Sequence, residues 1–384
     1  MSTFFPPASL GFVGGGQLAR MMAAEARRMG YRTVVLDPDK DCPAAANCDE
    51  VVAGDVTDPK VLADFGELVD VITLDHEHVR AELLDALSSH ALVRPAPSVL
   101  RTVQDRLVQR DFIASLGIKS PGFMAVRSRA DLQLAAERFG FPLVMKTRRE
   151  GYDGKGQLRI HSEADFGQAE AFIDAADVLV ESYVRFEREI SVLLARSVDG
   201  QVEIYPIADN QHERHVLRTT HAPAEVTEAV VEEACRVAVR IAEAFAYVGV
   251  MAVELFLTAE GDVLVNEIAP RVHNSGHYTQ GACATSQFEQ HVRAVMGVSL
   301  GDARLLSPAV MINLFGDLWQ DGQPNFEPVL RRRQAKLHLY GKQAAKPGRK
   351  MGHVVVLEPT LAAGVATGKA LRQELEGEGG RAPG

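Results

Sequence analysis

Two glutamates carry the densest chemistry in this chain. Glu254 and Glu267 lie in residues 250–257 and 263–268, runs rich in β-branched and aliphatic side chains that read as strands. Between them Ala259-Glu260-Gly261-Asp262 has turn chemistry, with Gly261 free to take positive φ. A hairpin folded about the bond between residues 260 and 261 sets Glu254 directly opposite Glu267. Cβ atoms so placed lie about 4.5–5.5 Å apart, and like charges there destabilise a sheet. A cation between them removes the conflict. Magnesium suits the position, since it takes one or two carboxylates and fills its other sites with water and phosphate oxygens. Solvated glutamates on an open face are the plain alternative. The next segment argues against it: Arg271, His273, Asn274, Ser275 and His277 follow Pro270, with Gly276 for close backbone approach. This reads as a substrate loop beside a metal-nucleotide.

Other elements must bring phosphates to that hairpin. Residues 139–147 read as a strand delivering Lys146, and residues 158–160 as its partner. The loop between holds Gly151, Tyr152, Asp153, Gly154, Lys155, Gly156 and Gln157. Glycines let backbone N–H groups close on oxygens and the lysine adds charge, so the loop reads as a flap over phosphates. It is not a GxxxxGK[ST] loop, because no Ser or Thr follows the lysine. The run Val178-Leu-Val-Glu181-Ser182-Tyr183-Val184 offers an apolar surface and backbone amides of the kind that suit adenine. Glu189 opens another alternating strand, and residues 205–212 form a strand-to-loop unit ending at His212. A long amphipathic helix over residues 226–247 leads into the hairpin.

The chain begins with a strand, a glycine turn and a helix. Gly14-x-Gly16-x-x-Ala19 followed by Asp37 matches the dinucleotide fingerprint. That motif alone also fits a helix N-terminus serving some other phosphate, or none. A buried strand, residues 71–74, leads into Asp75-His76-Glu77-His78, placed where open α/β sheets bind ligands. Pro95 and Pro97 put a first domain boundary near residue 100. From Ala309 onward mixed strands suggest a small module with basic residues on glycine turns, including Lys342, Lys346, Arg349 and Lys350. They suit either solvent or a phosphate. Residues 374–384 are rich in Gly and Glu and are expected to fray.

With 384 residues the chain has room for two or three cores. A net charge of −10 argues against general nucleic-acid binding. Four scattered cysteines without a CxxC fit reduced thiols and a cytoplasmic setting. No signal-peptide pattern and no apolar run of membrane-spanning length is present, so no membrane partner is expected.

The flap GYDGKGQ, the strand ESYV, Asn266-Glu267 and PRVHNSGHYT together resemble the N5-carboxyaminoimidazole ribonucleotide synthetases, ATP-grasp enzymes of microbial purine synthesis. The likeness runs from GGGQLARM through TLDHEHV to KPGRKMGH. One departure is Asp75, where that family more often has glutamate. The resemblance implies a mixed α/β and α+β fold. Residues 1–100 would form a Rossmann-like domain and 101–300 an ATP-grasp domain with a flap subdomain near 118–185. Residues 301–384 would form a small β-rich C-terminal domain. It also implies ATP and Mg2+, carboxylation of 5-aminoimidazole ribonucleotide by bicarbonate, and a homodimer.

Roles follow from the resemblance. Glu254 and Glu267 would hold magnesium with Asn266 alongside. Arg106, Lys146 and residues 151–157 would hold the triphosphate. Glu181, Ser182, Tyr183, Val184, Glu189 and His212 would surround adenine and ribose. Gln17, Leu18 and Glu77 would hold the ribonucleotide. His273, Asn274, Ser275, Lys342 and Arg349 would take its phosphate and the bicarbonate. Tyr152, Asp153, Arg271, Lys342 and Arg349 would face the reacting groups. An NAD-dependent oxidoreductase would leave the flap and the paired glutamates unexplained. A non-catalytic nucleotide-binding regulator would be marked by loss of Lys146, Asp153, Glu254 or Glu267, and all are present. The formate-dependent glycinamide ribonucleotide transformylases are the near relatives to be separated by substrate.

Overall fold

The computed structural model describes residues 2–149, 151, 156–320 and 322–377. Four strands with apolar centres, β1 (Ser9–Val13), β2 (Arg32–Asp37), β3 (Glu50–Ala53) and β4 (Val71–Leu74), join β5 (Leu92–Val93) in a parallel sheet ordered β3-β2-β1-β4-β5. The central three, β1, β2 and β4, are buried on both faces because the crossovers cover them with helices. The order reverses at β1, which pairs with both β2 and β4. The crevice beyond that switch point lies between the glycine turn and residues 75–78, where open sheets take ligands.

The glycine turn serves packing. Gly15 N–H donates to Asp37 Oδ2 at 2.7 Å, and Asp39 N–H takes Asp37 Oδ1 at 2.8 Å. A Cβ on Gly15 would sit 2.2 Å from Cys42 Sγ, and one on Gly16 would sit 2.1 Å from Asp75 Oδ2. Asp75 Oδ1 accepts from Ala19 N–H at 2.7 Å, so the first helix, Gln17–Arg28, is capped by a carboxylate of the chain itself. Asp37 thus braces the glycine turn and its own loop together.

A second sheet combines β6 (Phe123–Val126), β7 (Leu143–Thr147), β8 (Gln157–Ile160) and β9 (Val178–Ser182) in the order β6-β9-β7-β8. The strand that delivers Lys146 is shorter than its apolar run suggests. A helix, Arg129–Phe139, takes the first of those residues, and Gly140 at φ 71° ends it.

The largest sheet among the described residues has nine strands. They are β10 (Arg188–Arg196), β11 (Val202–Ile204), β12 (Ala208–Glu213), β13 (Val216–Ala222), β14 (Gly249–Leu257), β15 (Val263–Ala269), β16 (Ala309–Phe315), β17 (Ala335–Leu339) and β18 (Lys350–Leu357). Their order is β15-β14-β10-β12-β13-β16-β18-β17, with β11 on β10. The C-terminal strands therefore continue the central sheet through the β13–β16 pairing. The tail folds further than its composition suggests: the last helix runs Leu361–Glu376, and Leu375 is buried in it. One continuous core joins Leu10, Phe12 and Met22 to Val250, Phe288, Met311 and Val355.

His291 fastens the first sheet to the third. On the helix Gln287–Met296 its ring is 1 % exposed. Nδ1 accepts from Val250 N–H at 3.0 Å, so Nε2–H donates to Thr73 Oγ1 at 2.7 Å. Burial pushes its pKa down to about 3. An unfolded histidine takes its proton near pH 6.5, so this residue's contribution to stability is complete above about pH 6.5 and is lost as pH falls toward 3. His291→Gln should remove that proton from the folding equilibrium. Urea melts between pH 6 and 4 should then show a slope shallower by about 1.4 kcal/mol per pH unit.

Candidate active site

The three sheets enclose a cleft of about 980 Å³, at the upper end of ligand-pocket sizes. At its centre β14 and β15 pair Glu254 with Glu267. The pairing arises differently from a simple two-residue turn. Leu257 pairs with Val263 and Leu255 with Val265, so the turn centres on Glu260. Asp262 N–H donates to Thr258 Oγ1, and Thr258 N–H to Asp262 O. A bulge between Glu254 and Leu255 then inserts Asn266 into β15 and restores the glutamate pairing. A bulge re-aims successive side chains. Consecutive Asn266 and Glu267 accordingly both line the cleft.

The pair is electrostatically loaded. Burial, and then the Glu267 charge, push the Glu254 carboxyl up to about 7. Arg106 NH1 stands 3.4 Å from Glu267 Oε1, and His273 Nε2 stands 3.4 Å from Glu254 Oε1. His273 itself is driven down to about 3 by burial and then by Arg271 and Lys350.

Lys146 reaches the cleft from β7 with its Nζ 2.7 Å from Glu181 Oε2. Arg110 Nε donates to Glu181 Oε1 at 2.6 Å. Burial opposes ionisation of Glu181, but Arg110 and Lys146 outweigh it and hold the carboxyl below its ordinary range. Glu181 lines the cleft, and its side chain holds Lys146 and Arg110 there. Ser182 Oγ accepts from Gly122 N–H at 2.9 Å. Tyr183 lies beneath the Arg159 guanidinium at 4.7 Å, and Val184 lines the cleft. Glu189 Oε1 is 3.2 Å from His212 Nδ1; burial lowers the pKa of this imidazole, but Glu189 raises it more. Phe186 and Phe256 stack at 4.6 Å and 13° on the same wall. The sequence reading missed both, although Phe256 is two residues beyond Glu254 and so shares its strand face.

Opposite the carboxylates, Gln17, Leu18 and Glu77 border the cleft. Arg271 grips Glu77 with two nitrogens, NH2 at 2.6 Å from Oε1 and Nε on Oε2. This fork ties the first sheet to the loop after β15. Gln287, fully buried, clamps that loop: its Oε1 accepts from His273 N–H and its Nε2 donates to His273 O, each at 2.8 Å. A Cβ on Gly276 would meet Gln287 Oε1 at 2.5 Å. Asn274 lines the cleft with neither side-chain polar atom bonded within the protein.

Three expected residues stand behind the cleft lining. Ser275 is fully buried behind His273, bonded to it and to Ser191. Lys342 donates to Lys350 O at 2.8 Å, and Arg349 NH1 to Ala344 O at 2.8 Å; neither lines the cleft. Tyr340 and Lys350 do. Lys350 directly follows Arg349, and β18 begins on it. Only that strand's start selects which basic residue faces inward. Burial, and then Arg349, lower Lys342 to about 8. Gly151 O accepts from Arg106 NH2 at 2.7 Å, Gly156 takes φ 72°, and Gln157 borders the cleft. Tyr152, Asp153, Gly154 and Lys155 lie outside the described residues.

The sequence profile of the ATP-grasp domain matches residues 111–288. That of the ribonucleotide synthetase pre-ATP-grasp domain matches residues 8–104. The phosphoribosylaminoimidazole carboxylase C-terminal domain matches residues 309–366. Fold and site therefore define an ATP-grasp enzyme. The chain is 40% identical over 354 residues to N5-carboxyaminoimidazole ribonucleotide synthase of Bacillus subtilis, covering 92% of each. It superposes with TM-score 0.90 and 35% identity on N5-carboxyaminoimidazole synthetase from Staphylococcus aureus complexed with ADP, covering 97% of this chain and 98% of that one. The Aspergillus clavatus synthase in complex with ADP and 5-aminoimidazole ribonucleotide gives 0.85 and 28%, covering 95% and 98%. The chain belongs to the N5-carboxyaminoimidazole ribonucleotide synthase family.

Glu181→Gln should leave Arg110 and Lys146 buried with their shared anion gone. Removing one member of a buried ion pair costs about 3–5 kcal/mol. Urea denaturation should show a loss of that size.

Proposed function

We propose that this chain joins bicarbonate to the amine of 5-aminoimidazole ribonucleotide at the expense of ATP, in de novo purine biosynthesis. The carrying observation is the cleft in which the Glu254–Glu267 pair and Lys146 face Gln17, Glu77 and Arg271, in a chain of this family. A bicarbonate oxygen attacks the γ-phosphorus, ADP leaves, and carboxyphosphate forms. Its C–O bond to phosphate breaks, giving CO2 and phosphate. The amine nitrogen bonds to the CO2 carbon and loses a proton, giving the N5-carboxylated ribonucleotide. Hydroxide is a poor leaving group, so phosphorylation is what makes bicarbonate reactive. Catalysis rests on positioning and charge neutralisation at the phosphoryl group.

The residues fit magnesium. Two hard carboxylates stand directly opposed, Asn266 adds an amide oxygen, and burial with mutual repulsion hinders their joint ionisation. Among the described residues no group of three or more His, Cys, Asp and Glu could hold a cation, and phosphate and water oxygens would complete the shell of an ion bound to this pair. Bound there, magnesium supplies charge neutralisation along the polyphosphate. Lys146, held by Glu181, and Arg106 address the phosphates. Phe186, Phe256, Tyr183 and Val184 form the apolar wall for adenine, with Glu189 and His212 toward ribose. Gln17, Leu18 and Arg271 face the ribonucleotide, and Asn274 offers its unbonded amide to bicarbonate. Lys342, Arg349 and Lys350 form a basic flank for the ribonucleotide phosphate. Asp153 is assigned to take or orient the amine proton, with Tyr152 serving the same reacting groups. Flap closure excludes water from labile carboxyphosphate. The working form is a cytoplasmic homodimer.

Phosphate release from Mg-ATP and bicarbonate should rise strongly on adding 5-aminoimidazole ribonucleotide, with loss of its free amine. Release with formate and glycinamide ribonucleotide instead would move the chain to the transformylase reaction. Glu267→Gln should lower ATP turnover roughly 100-fold or more while the circular dichroism spectrum stays native. Normal turnover in that variant would sink the metal assignment.

A further inference from the structure

Cations on the cleft wall are gripped from behind by acids. Glu181 holds Lys146, Glu77 holds Arg271, and Asp105 holds Arg148. Neither the motifs nor the resemblance gives Arg148 a ligand. It follows β7, two residues beyond Lys146, so an extended chain turns both side chains to one face. Both line the cleft.

Arg148 is fixed at every level. Its backbone N–H donates to Asp177 O at 2.9 Å, and its carbonyl accepts from Arg106 N–H at 2.8 Å. Its guanidinium forks onto Asp105, Nε to Oδ1 at 3.0 Å and NH2 to Oδ2 at 2.6 Å. A fork sets both the plane and the direction of a guanidinium. It uses two of the five N–H donors and leaves NH1 outside. Asp105 is itself pinned. It is 4 % exposed, and Oδ1 also accepts from Leu107 N–H at 3.0 Å, which caps the helix Arg106–Ser115. Burial opposes its charge, but Arg148 and the cap outweigh that cost and hold the carboxyl below its usual range. Arg149 Nε approaches the same carboxylate only at 3.7 Å, from solvent.

The two backbone bonds alone would tie this segment to the helix. The fork adds an aimed guanidinium with spare donors on the wall that carries Lys146, beside the backbone of Arg106. An anion met by NH1 breaks neither fork bond, and the paired acid keeps two nearby cations from repelling each other while no anion is bound.

We propose that Arg148 is a further phosphate contact of the nucleotide, made through NH1, and that Asp105 is the positioning residue that aims it. The ligand rests on the ATP reading of this cleft. It does not rest on the carboxylation.

The test is calorimetric binding of Mg-ADP, and of adenosine, to the full-length protein. Arg148→Met should weaken Mg-ADP roughly tenfold or more, the loss of a hydrogen bond to a charged group, and leave adenosine unchanged. Arg148→Lys, which keeps a charge but cannot fork, should recover part of that loss. Asp105→Asn keeps a good helix cap and loses the charged fork. It should weaken Mg-ADP on its own and add nothing in the Arg148→Met background. Unchanged Mg-ADP affinity in Arg148→Met overturns the contact, and so does an equal loss for adenosine. Arg148→Lys binding as weakly as Arg148→Met reduces the residue to a structural link and overturns it too. Unchanged affinity in Asp105→Asn overturns the positioning role even if Arg148→Met fails to fold, as does a loss that adds in full to that of Arg148→Met. A wild-type protein that binds Mg-ADP but releases no phosphate with bicarbonate and the ribonucleotide fails the proposed function alone, and these comparisons still stand.

Discussion

The site depends on a repulsion. Two carboxylates stand opposite each other on adjacent strands, and at about 5 Å with an effective dielectric near 20 two full charges repel by about 3 kcal/mol. The protein lowers that load with Arg106 beside Glu267 and His212 near Glu254, yet the Glu254 carboxyl stays near 7. Neither neighbour cancels the pair, as a stabilising design would. A pair left under load is poised to take up positive charge, and that readiness sets what the surrounding elements must do. They must bring polyphosphate oxygens within reach and keep the two strands in register.

The joints around the cleft are polar, short and few. Arg271 on Glu77, His291 between Thr73 and Val250, Asp75 on the first helix and Gln287 on the substrate loop each join elements distant in sequence. Each is buried or half-buried, so breaking one leaves a desolvated partner. An apolar core continuous between the first and third sheets makes these joints specific, since packing supplies cohesion and the polar contacts choose one arrangement. The imidazoles of His277, His353 and His338, the first tilted against His353 at 4.6 Å and the last stacked on it at 4.5 Å, extend the same logic to the C-terminal strands. Burial keeps all three pKa values below the usual range, and rings that stay neutral can stack without mutual repulsion.

The sequence disclosed composition and spacing well and register poorly. The strand runs, Lys146 at the end of its strand and the glutamate pair were all legible, because period-2 patterning and turn residues are local. The bulge at Asn266 was not. A one-residue slip leaves no trace in composition, yet it moves the turn to Glu260 and turns Asn266 and Glu267 to one side. The grip of Arg110 on Glu181 was not legible, because the two lie 71 residues apart. That Lys350 lines the cleft was not legible either, since β18 pairing with β16 positions it, a contact local patterning cannot report.

The glycine turn carries the same lesson to motif reading. GxGxxA with a later aspartate is read as dinucleotide recognition because the aspartate is assumed to face outward to a ribose. Here both of its oxygens are taken by N–H groups of its own neighbourhood, and the helix N-terminus is met by Asp75. The glycines are required all the same, since a Cβ on Gly15 or Gly16 would collide with Cys42 or Asp75. The motif therefore specifies a close approach of chain to chain, and the identity of what approaches is written elsewhere. In this protein the residues at positions 37, 42 and 75 approach, and the crevice beyond them is left to Gln17, Leu18 and the Glu77–Arg271 fork.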